Sequence, residues 1–165
     1  MRLELVPPDE IDEPLWWQSG GPRFRPTADG RLENERRKIQ DGALGRIRAG
    51  RAVRVATYVY ATPGVEADAC HALLAAYAVS RGTDHAPRPF TDRPEPAPTL
   101  PSRPQFALAC RWAASGFADC VLAIDRPSVA SDGATYEAYL SWLSRHNACL
   151  AYLQPALRGR PWTDQ

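Results

Sequence analysis

Apolar residues in the second two thirds of the chain alternate between short continuous runs and repeats at helical spacing. Residues 53–61 (VRVATYVYA) are rich in β-branched and aromatic side chains, as strands are. The patterns predict strands over residues 53–61, 119–124 and 148–153, a short strand near Phe90, and helices over residues 66–81, 105–115 and 134–146. This alternation predicts an α/β fold with a mostly parallel sheet and helices on both faces.

The N-terminal part of the chain has a different character. Residues 1–51 are rich in Pro and Arg and predict an irregular extension with one helix over residues 32–48, preceding an α/β domain at residues 52–165. Within the extension, Leu15 precedes the pair Trp16 and Trp17. This apolar segment either docks on the domain's own surface or serves as an anchor for a protein partner, since exposed Trp residues are frequent at binding hot spots.

The segment around the predicted N-terminal helix is the most basic part of the chain. Its cationic residues are Arg36, Arg37, Lys38, Arg46, Arg48, Arg51 and Arg54. They form either a solvated helix face or an arm that contacts phosphates.

Composition bounds the class of protein. At 165 residues, with 44% hydrophobic and 24% charged residues, the chain is expected to form one ordinary globular domain with an extension. A formal net charge of +1 gives no overall field that favours nucleic acid or a membrane. No apolar run approaches the roughly 20 residues of a membrane helix, and the N-terminus has no signal-peptide pattern. We therefore expect a cytoplasmic protein with no membrane association; the oligomeric state is left open.

The cysteines and histidines do not predict a metal or cofactor site. Cys70, Cys110, Cys120 and Cys149 contain no C-x-x-C pair, and the histidines are remote from one another in the sequence. The cysteines are expected to be reduced and buried, and we expect no cofactor and no bound metal.

The best candidate for chemistry follows the second predicted strand. Asp125 and Arg126 come directly after the apolar run in residues 121–124. Open α/β sheets bind ligands at the carboxyl ends of their strands, so a carboxylate beside a guanidinium at this position suggests a site. The alternative is a structural role. Asp125 and Arg126 form an ion pair, or Asp125 is the N-cap of a helix, since Asp125 and Ser128 have the spacing of such a cap.

Five short motifs occur in order through the same region. They are Tyr58-Val59-Tyr60-Ala61-Thr62, Ala76-Tyr77-Ala78-Val79-Ser80-Arg81-Gly82, Ser102-Arg103-Pro104, Gly116-Phe117-Ala118-Asp119 and Asp125-Arg126-Pro127-Ser128-Val129. In this order, residues 57–153 resemble the N-terminal catalytic domain of serine recombinases, the resolvase/invertase family. The resemblance implies a resolvase-like fold and a site in which a serine hydroxyl attacks a DNA phosphate.

The chain departs from the family pattern at the positions that carry the chemistry. Thr62 stands where the resemblance implies the nucleophilic serine, and Tyr60 and Val129 stand in place of two arginines. Arg103, Asp125 and Arg126 remain from the family's site, and with Thr62, which keeps a hydroxyl, they are the candidate catalytic residues of a remnant site. Phosphoryl transfer needs an activated hydroxyl and several cationic groups on the transition state, and losing one charge costs orders of magnitude in rate.

We therefore expect a degenerate recombinase-like domain that is not catalytic and acts as a DNA-associated or protein-binding regulatory module. One alternative is an active recombinase that uses Thr62 as the nucleophile, with Arg103 and Arg126 on the scissile phosphate. Another is a domain that binds a small phosphorylated ligand between the same two guanidiniums.

Overall fold

The computed structural model describes residues 27–47, 50–85, 88–95 and 103–153. These residues form α1 (Ala28–Gly45), β1 (Arg54–Tyr60), α2 (Ala67–Ser80), β2 (Asp84–His85), β3 (Phe90–Asp92), α3 (Pro104–Ala114), β4 (Cys120–Ala123), α4 (Arg126–Val129), α5 (Gly133–Arg145) and β5 (Cys149–Tyr152). None of these described helices is both long and apolar enough to cross a bilayer. Trp16 and Trp17 lie outside the described residues, so the interpretation of that segment stays a prediction.

The strands form one parallel sheet in the order β2, β1, β4, β5, and β3 also pairs with β1. Val55 lies beside His85 and Tyr58 lies beside Phe90, so β2 and β3 occupy successive positions along the same edge of β1. On the other side β1 pairs with β4, which in turn pairs with β5. The predicted parallel sheet is confirmed.

Alternate strand residues belong to two apolar clusters, one on each face of the sheet. Ala56 and Tyr58 of β1 pack with α3 and α5. Val55 and Val59 pack with α2 and with the C-terminal half of α1. Because helices cover both faces, nearly every residue of β1, β4 and β5 is buried, which explains why these strands are continuous apolar runs in the sequence. The predicted arrangement of helices on both faces is confirmed.

Helix α1 covers the outer edge of the sheet at β5. Its residue Leu32 belongs to one apolar cluster, and Ala43 and Leu44 belong to the other. From the same helix, Arg36 Nη1 donates to the carbonyl of Leu150 at 3.0 Å. An edge strand exposes unpaired backbone groups, and this helix both shields them and provides a donor to one of them.

Capping residues set where two of the helices begin. The Thr27 hydroxyl accepts from the N–H of Gly30 at 3.0 Å, so α1 begins at Ala28 rather than at residue 32 as the apolar pattern predicts. The Asp132 carboxylate accepts from the N–H of Thr135 at 2.7 Å, and α5 begins at Gly133. A side-chain acceptor satisfies a free N–H of the first turn, which extends each helix beyond its apolar stripe.

Asp119 joins the amino ends of two strands. Its carboxylate accepts from Arg51 Nη2 and Nη1 at 2.9 and 3.0 Å and from the N–H of Arg54 at 2.8 Å. Burial alone would raise the pKa of this carboxyl, but the hydrogen bonds from Arg51 and Arg54 outweigh it and hold the pKa below its ordinary value. The ionised form of Asp119 therefore stabilises the fold.

Asp119→Asn is expected to lower the free energy of unfolding by about 1.5 kcal/mol at neutral pH, because charged hydrogen bonds are lost. Since the folded pKa lies below the ordinary value of 3.8, the contribution is complete above that pH and disappears as the pH falls through the folded pKa. Thermal unfolding of both proteins between pH 7 and pH 2.5 should show their difference shrinking only at the acid end. A difference independent of pH would contradict the ionised role.

Candidate functional site

The four site residues predicted from sequence all lie at the carboxyl edge of the sheet. Thr62 follows the end of β1, Asp125 and Arg126 follow the end of β4, and Arg103 directly precedes α3. Arg103 Nε donates to the carbonyl of Ser128 at 3.1 Å, which joins the start of α3 to α4. Several elements therefore meet at this edge. The contacts of each side chain decide which role that side chain can have.

Asp125 is the N-cap of the short helix α4. Its Oδ1 accepts from the N–H of Ser128 at 3.0 Å and from the Ser128 hydroxyl at 2.6 Å. The spacing of these two residues predicts this cap as the structural alternative to a catalytic role. A carboxylate oxygen that already accepts two hydrogen bonds is a poor general base, so the geometry favours the cap.

Arg126 is held by two other helices. Its Nη1 lies 2.7 Å from Asp29 Oδ1 at the start of α1, and its guanidinium carbon lies 4.7 Å from the ring centre of Tyr136 in α5. The side chain of Arg126 is 27% exposed and that of Asp29 is 81% exposed. Asp29 thus occupies the guanidinium that the resemblance assigns to a phosphate.

Arg103 is the buried cation of this edge. It is only 8% exposed, and its guanidinium stacks on Tyr60, with 3.5 Å between the guanidinium carbon and the ring centre. Nε is bonded to Ser128, but Nη1 is buried without a hydrogen-bond partner among the described residues. Burial of an unsatisfied cationic donor is costly, so this atom is a candidate group for binding a ligand at the edge.

Thr62 lies in the turn after β1. Its N–H donates to the carbonyl of Tyr60 at 3.2 Å, and its carbonyl accepts from Val65 at 3.0 Å. The turn continues through Gly64, whose φ of +87° suits glycine. The Thr62 side chain is exposed, and in the described part of the chain no histidine or carboxylate is hydrogen-bonded to its hydroxyl. No general base activates it there.

The sequence analysis missed Asp92, a buried acid at this edge of the sheet. Asp92 ends β3, is 4% exposed, and accepts at 3.0 Å from each of three donors. The donors are the N–H groups of Gln105 and Phe106, at the start of α3, and the hydroxyl of Tyr58. Burial raises the pKa of Tyr58, and the Asp92 charge raises it further. The rule that singled out Asp125, an acid directly after a strand, also applies to Asp92.

A second network beside the edge explains part of the basic N-terminal segment. Arg36 is 1% exposed and pairs with Glu33 at 2.6 Å, while its guanidinium lies over the ring of Tyr152. The Tyr152 hydroxyl donates to that of Tyr136 at 2.9 Å. Burial raises the pKa of Tyr152, and so does its neighbour Tyr136. Arg36 therefore belongs to the core rather than to a solvated face or a phosphate-contacting arm.

Other basic residues of that segment are also engaged. Arg37 pairs with Glu33 at 3.0 Å, Arg46 donates to Asn147 Oδ1 at 2.7 Å, and Arg51 binds Asp119. Arg48 lies outside the described residues. These contacts are intramolecular, so the described residues give no support to a free basic arm.

His71 and the cysteines have structural surroundings. The ring nitrogens of His71 lie 2.8 Å from the hydroxyls of Thr57 and Thr91, which connects α2 to β1 and β3. Burial lowers the pKa of His71. Burial raises the pKa of the Cys110 thiol to about 12, so that thiol stays protonated and inert. The three cysteines of α3, β4 and β5 are buried, while Cys70 is partly buried.

In the described part of the chain, most charged side chains of this edge are bonded to other groups of the protein. Its acids accept hydrogen bonds from the protein, and Arg126 is paired with Asp29. What remains is the unpartnered Nη1 of Arg103 and the exposed hydroxyl of Thr62. No family model, curated protein or solved structure matches the chain with significance, so the resemblance to serine recombinases rests on the sequence motifs and stays a hypothesis.

Proposed function

We propose that this chain is a degenerate, recombinase-like α/β domain that does not cut DNA and acts as a DNA-associated regulatory module. Duplex phosphates are bound at the carboxyl edge of the sheet, next to Arg103 and Thr62. The protein-binding form of the same hypothesis involves Trp16 and Trp17, which lie outside the described residues.

The observation that carries the proposal is the way the charged residues of the edge are bonded. A phosphoryl-transfer site needs cationic groups aimed at the phosphate and a base at the nucleophile. Here Asp125 caps α4, and Arg126 is bonded to Asp29. The hydroxyl of Thr62 has no base bonded to it within the described ranges. Catalysis would require both charged side chains to leave partners at hydrogen-bonding distance.

Arg103 supports the binding half of the proposal. Its buried Nη1 has a donor to offer and no acceptor in the described part of the chain. A phosphate oxygen would satisfy this donor with a charge-assisted hydrogen bond. One such cation can help position a phosphate, but it cannot replace the several charges that a transition state needs.

We expect the wild-type protein to form no covalent adduct with a nicked duplex suicide substrate, as read on a denaturing gel. Thr62→Ala should bind intact duplex with nearly wild-type affinity, because the proposed charged contact to phosphate is made by Arg103 and the Thr62 hydroxyl adds at most a neutral hydrogen bond. The absence of an adduct is expected because no base among the described residues is bonded to the Thr62 hydroxyl and because Arg126 is paired with Asp29. An adduct that forms with the wild type and disappears in Thr62→Ala would establish the active-recombinase alternative instead.

Binding is tested by gel shift against a salt titration. Weak, sequence-independent association in the micromolar range is expected at low salt. Arg103→Gln should make the negative slope of log K against log salt shallower by about 0.9, as expected for one lost phosphate contact. Arg145→Gln, an exposed arginine at the end of α5, is the matched control and should leave the slope unchanged. Equal slopes in wild type and Arg103→Gln would contradict the proposed surface.

A further inference from the structure

An exposed aromatic pair lies at the opposite, amino edge of the sheet. Phe117 follows α3 and stacks on Trp112, with 4.4 Å between ring centres and 26° between ring planes. The N–H of Phe117 donates to the carbonyl of Trp112 at 3.2 Å, which fixes the turn. Asp119 then donates its N–H to Arg54 at the start of β1, so this turn lies where the strands begin.

The outer ring of this pair faces solvent. Phe117 is 56% exposed, although a phenyl ring gains considerable free energy from burial. Trp112 lies beneath it and packs edge-on against Phe90, at 6.2 Å between ring centres. Phe117 therefore stacks on a ring that packs against the core, while more than half of its own surface is open to solvent.

Two arginines lie beside Trp112, Arg88 in space and Arg111 in sequence. The guanidinium carbon of Arg88 lies 5.9 Å from the ring centre of Trp112, and Arg111 is an exposed neighbour in α3. Neither arginine forms an ion pair within the described part of the chain. Nearby, Arg51 and Arg54 share the single carboxylate of Asp119, which leaves that group with excess positive charge.

We propose that Phe117 and Trp112 form a stacking platform for an unpaired base of single-stranded nucleic acid, with Arg88 and Arg111 contacting its phosphates. Proteins that bind single strands with little sequence preference combine aromatic side chains, on which bases stack, with positively charged residues that contact the phosphates. Duplex DNA fits less well, because its bases are stacked on each other and do not expose a face. The platform is at the other end of the strands from Arg103, so the inference does not rest on the proposed function.

The probe is a fluorescently labelled 12-mer of deoxythymidine, measured by anisotropy with the full-length protein. Phe117→Ala is expected to weaken its binding on the order of tenfold, and Phe117→Tyr should retain it, since the stacking face is preserved. An abasic 12-mer of equal charge has no base to stack. Its affinity for the wild type should be no higher than the affinity of the thymidine 12-mer for Phe117→Ala. Arg88→Gln should make the negative slope of log K against log salt shallower by about 0.7, as expected for the loss of one phosphate contact to a single strand.

Val79→Ala is the matched control, because Val79 is 64% exposed on α2, away from the platform. It should bind the oligomer as the wild type does, and far-UV circular dichroism verifies the fold of each variant. Equal affinity of wild type and Phe117→Ala, equal affinity for abasic and thymidine oligomers, or no binding of the oligomer would each overturn the inference. Duplex binding that depends on Arg103 is a separate measurement, so either proposal can fail while the other holds.

Discussion

Arg36→Met is expected to lower the free energy of unfolding by about 3 kcal/mol. Arg36 is 1% exposed. Its guanidinium donates to the two carboxylate oxygens of Glu33 at 2.6 and 2.9 Å and to the carbonyl of Leu150 at 3.0 Å. Methionine fills similar space but cannot donate, so the edge strand loses a bond that water does not restore at this depth. Urea unfolding of both proteins measures the difference.

Arg37→Met is the matched control for this substitution. Arg37 Nε lies 3.0 Å from Glu33 Oε1, the oxygen that Arg36 Nη2 also contacts, but the side chain of Arg37 is 62% exposed. Exposed pairs contribute little, so the expected loss is within about 0.5 kcal/mol. Similar losses in the two variants would contradict the claim that burial, rather than the ion pair itself, makes Arg36 important.

The same substitution should also change the titration of Glu33. Burial alone raises the pKa of Glu33, but hydrogen bonds and charge from Arg36 and then Arg37 hold it below its ordinary value. Without Arg36 the folded pKa should move upward. Ionised Glu33 contributes its full stabilisation above its ordinary pKa. As the pH falls, this contribution should therefore be lost at a higher pH in Arg36→Met than in the wild type.

Asp92→Ala should cost a comparable amount, about 3 kcal/mol, through a different mechanism. The buried carboxylate bonds the N–H groups of Gln105 and Phe106 and the hydroxyl of Tyr58. Alanine leaves these donors without an acceptor, and it removes the negative charge that stabilises the positive end of α3. Thermal and urea unfolding measure the loss.

Two variants separate the contributions to this cost. Tyr58→Phe removes only one of the three hydrogen bonds and should cost about 1 kcal/mol. Asp125→Ala removes an exposed cap of a short helix and should also cost about 1 kcal/mol. If Asp92→Ala proved no more destabilising than Asp125→Ala, burial of the Asp92 carboxylate would have no energetic consequence.

The long elements could be predicted from the pattern of residues. Residues 53–61 predict β1 (Arg54–Tyr60), and the apolar repeats predict α2 and α5 to within two residues at each end. Their parallel arrangement follows from the alternation of strands and helices. The start of α1 was less predictable, because Thr27 caps the helix through a side-chain hydrogen bond that apolar spacing does not indicate.

The residues of the candidate site lie together in the structure, and their role as a site stays a prediction. Sequence places Thr62, Asp125 and Arg126 after strand ends, and the structure brings them to one edge with Arg103. It does not predict that Asp29 pairs with Arg126, since they are far apart in sequence. Asp92 was missed because β3 is only three residues long and gives a weak signal.

The sequence by itself determined the α/β class, and it predicted a site at the carboxyl edge of the sheet. Only the tertiary structure decided what the charged side chains do. Arg36 and Asp92 are fixed in the core, and Asp29 neutralises Arg126. The physical reason is that local pattern records which residues are apolar and how they repeat. The free energy of a buried charge, in contrast, depends on partners that distant parts of the chain supply.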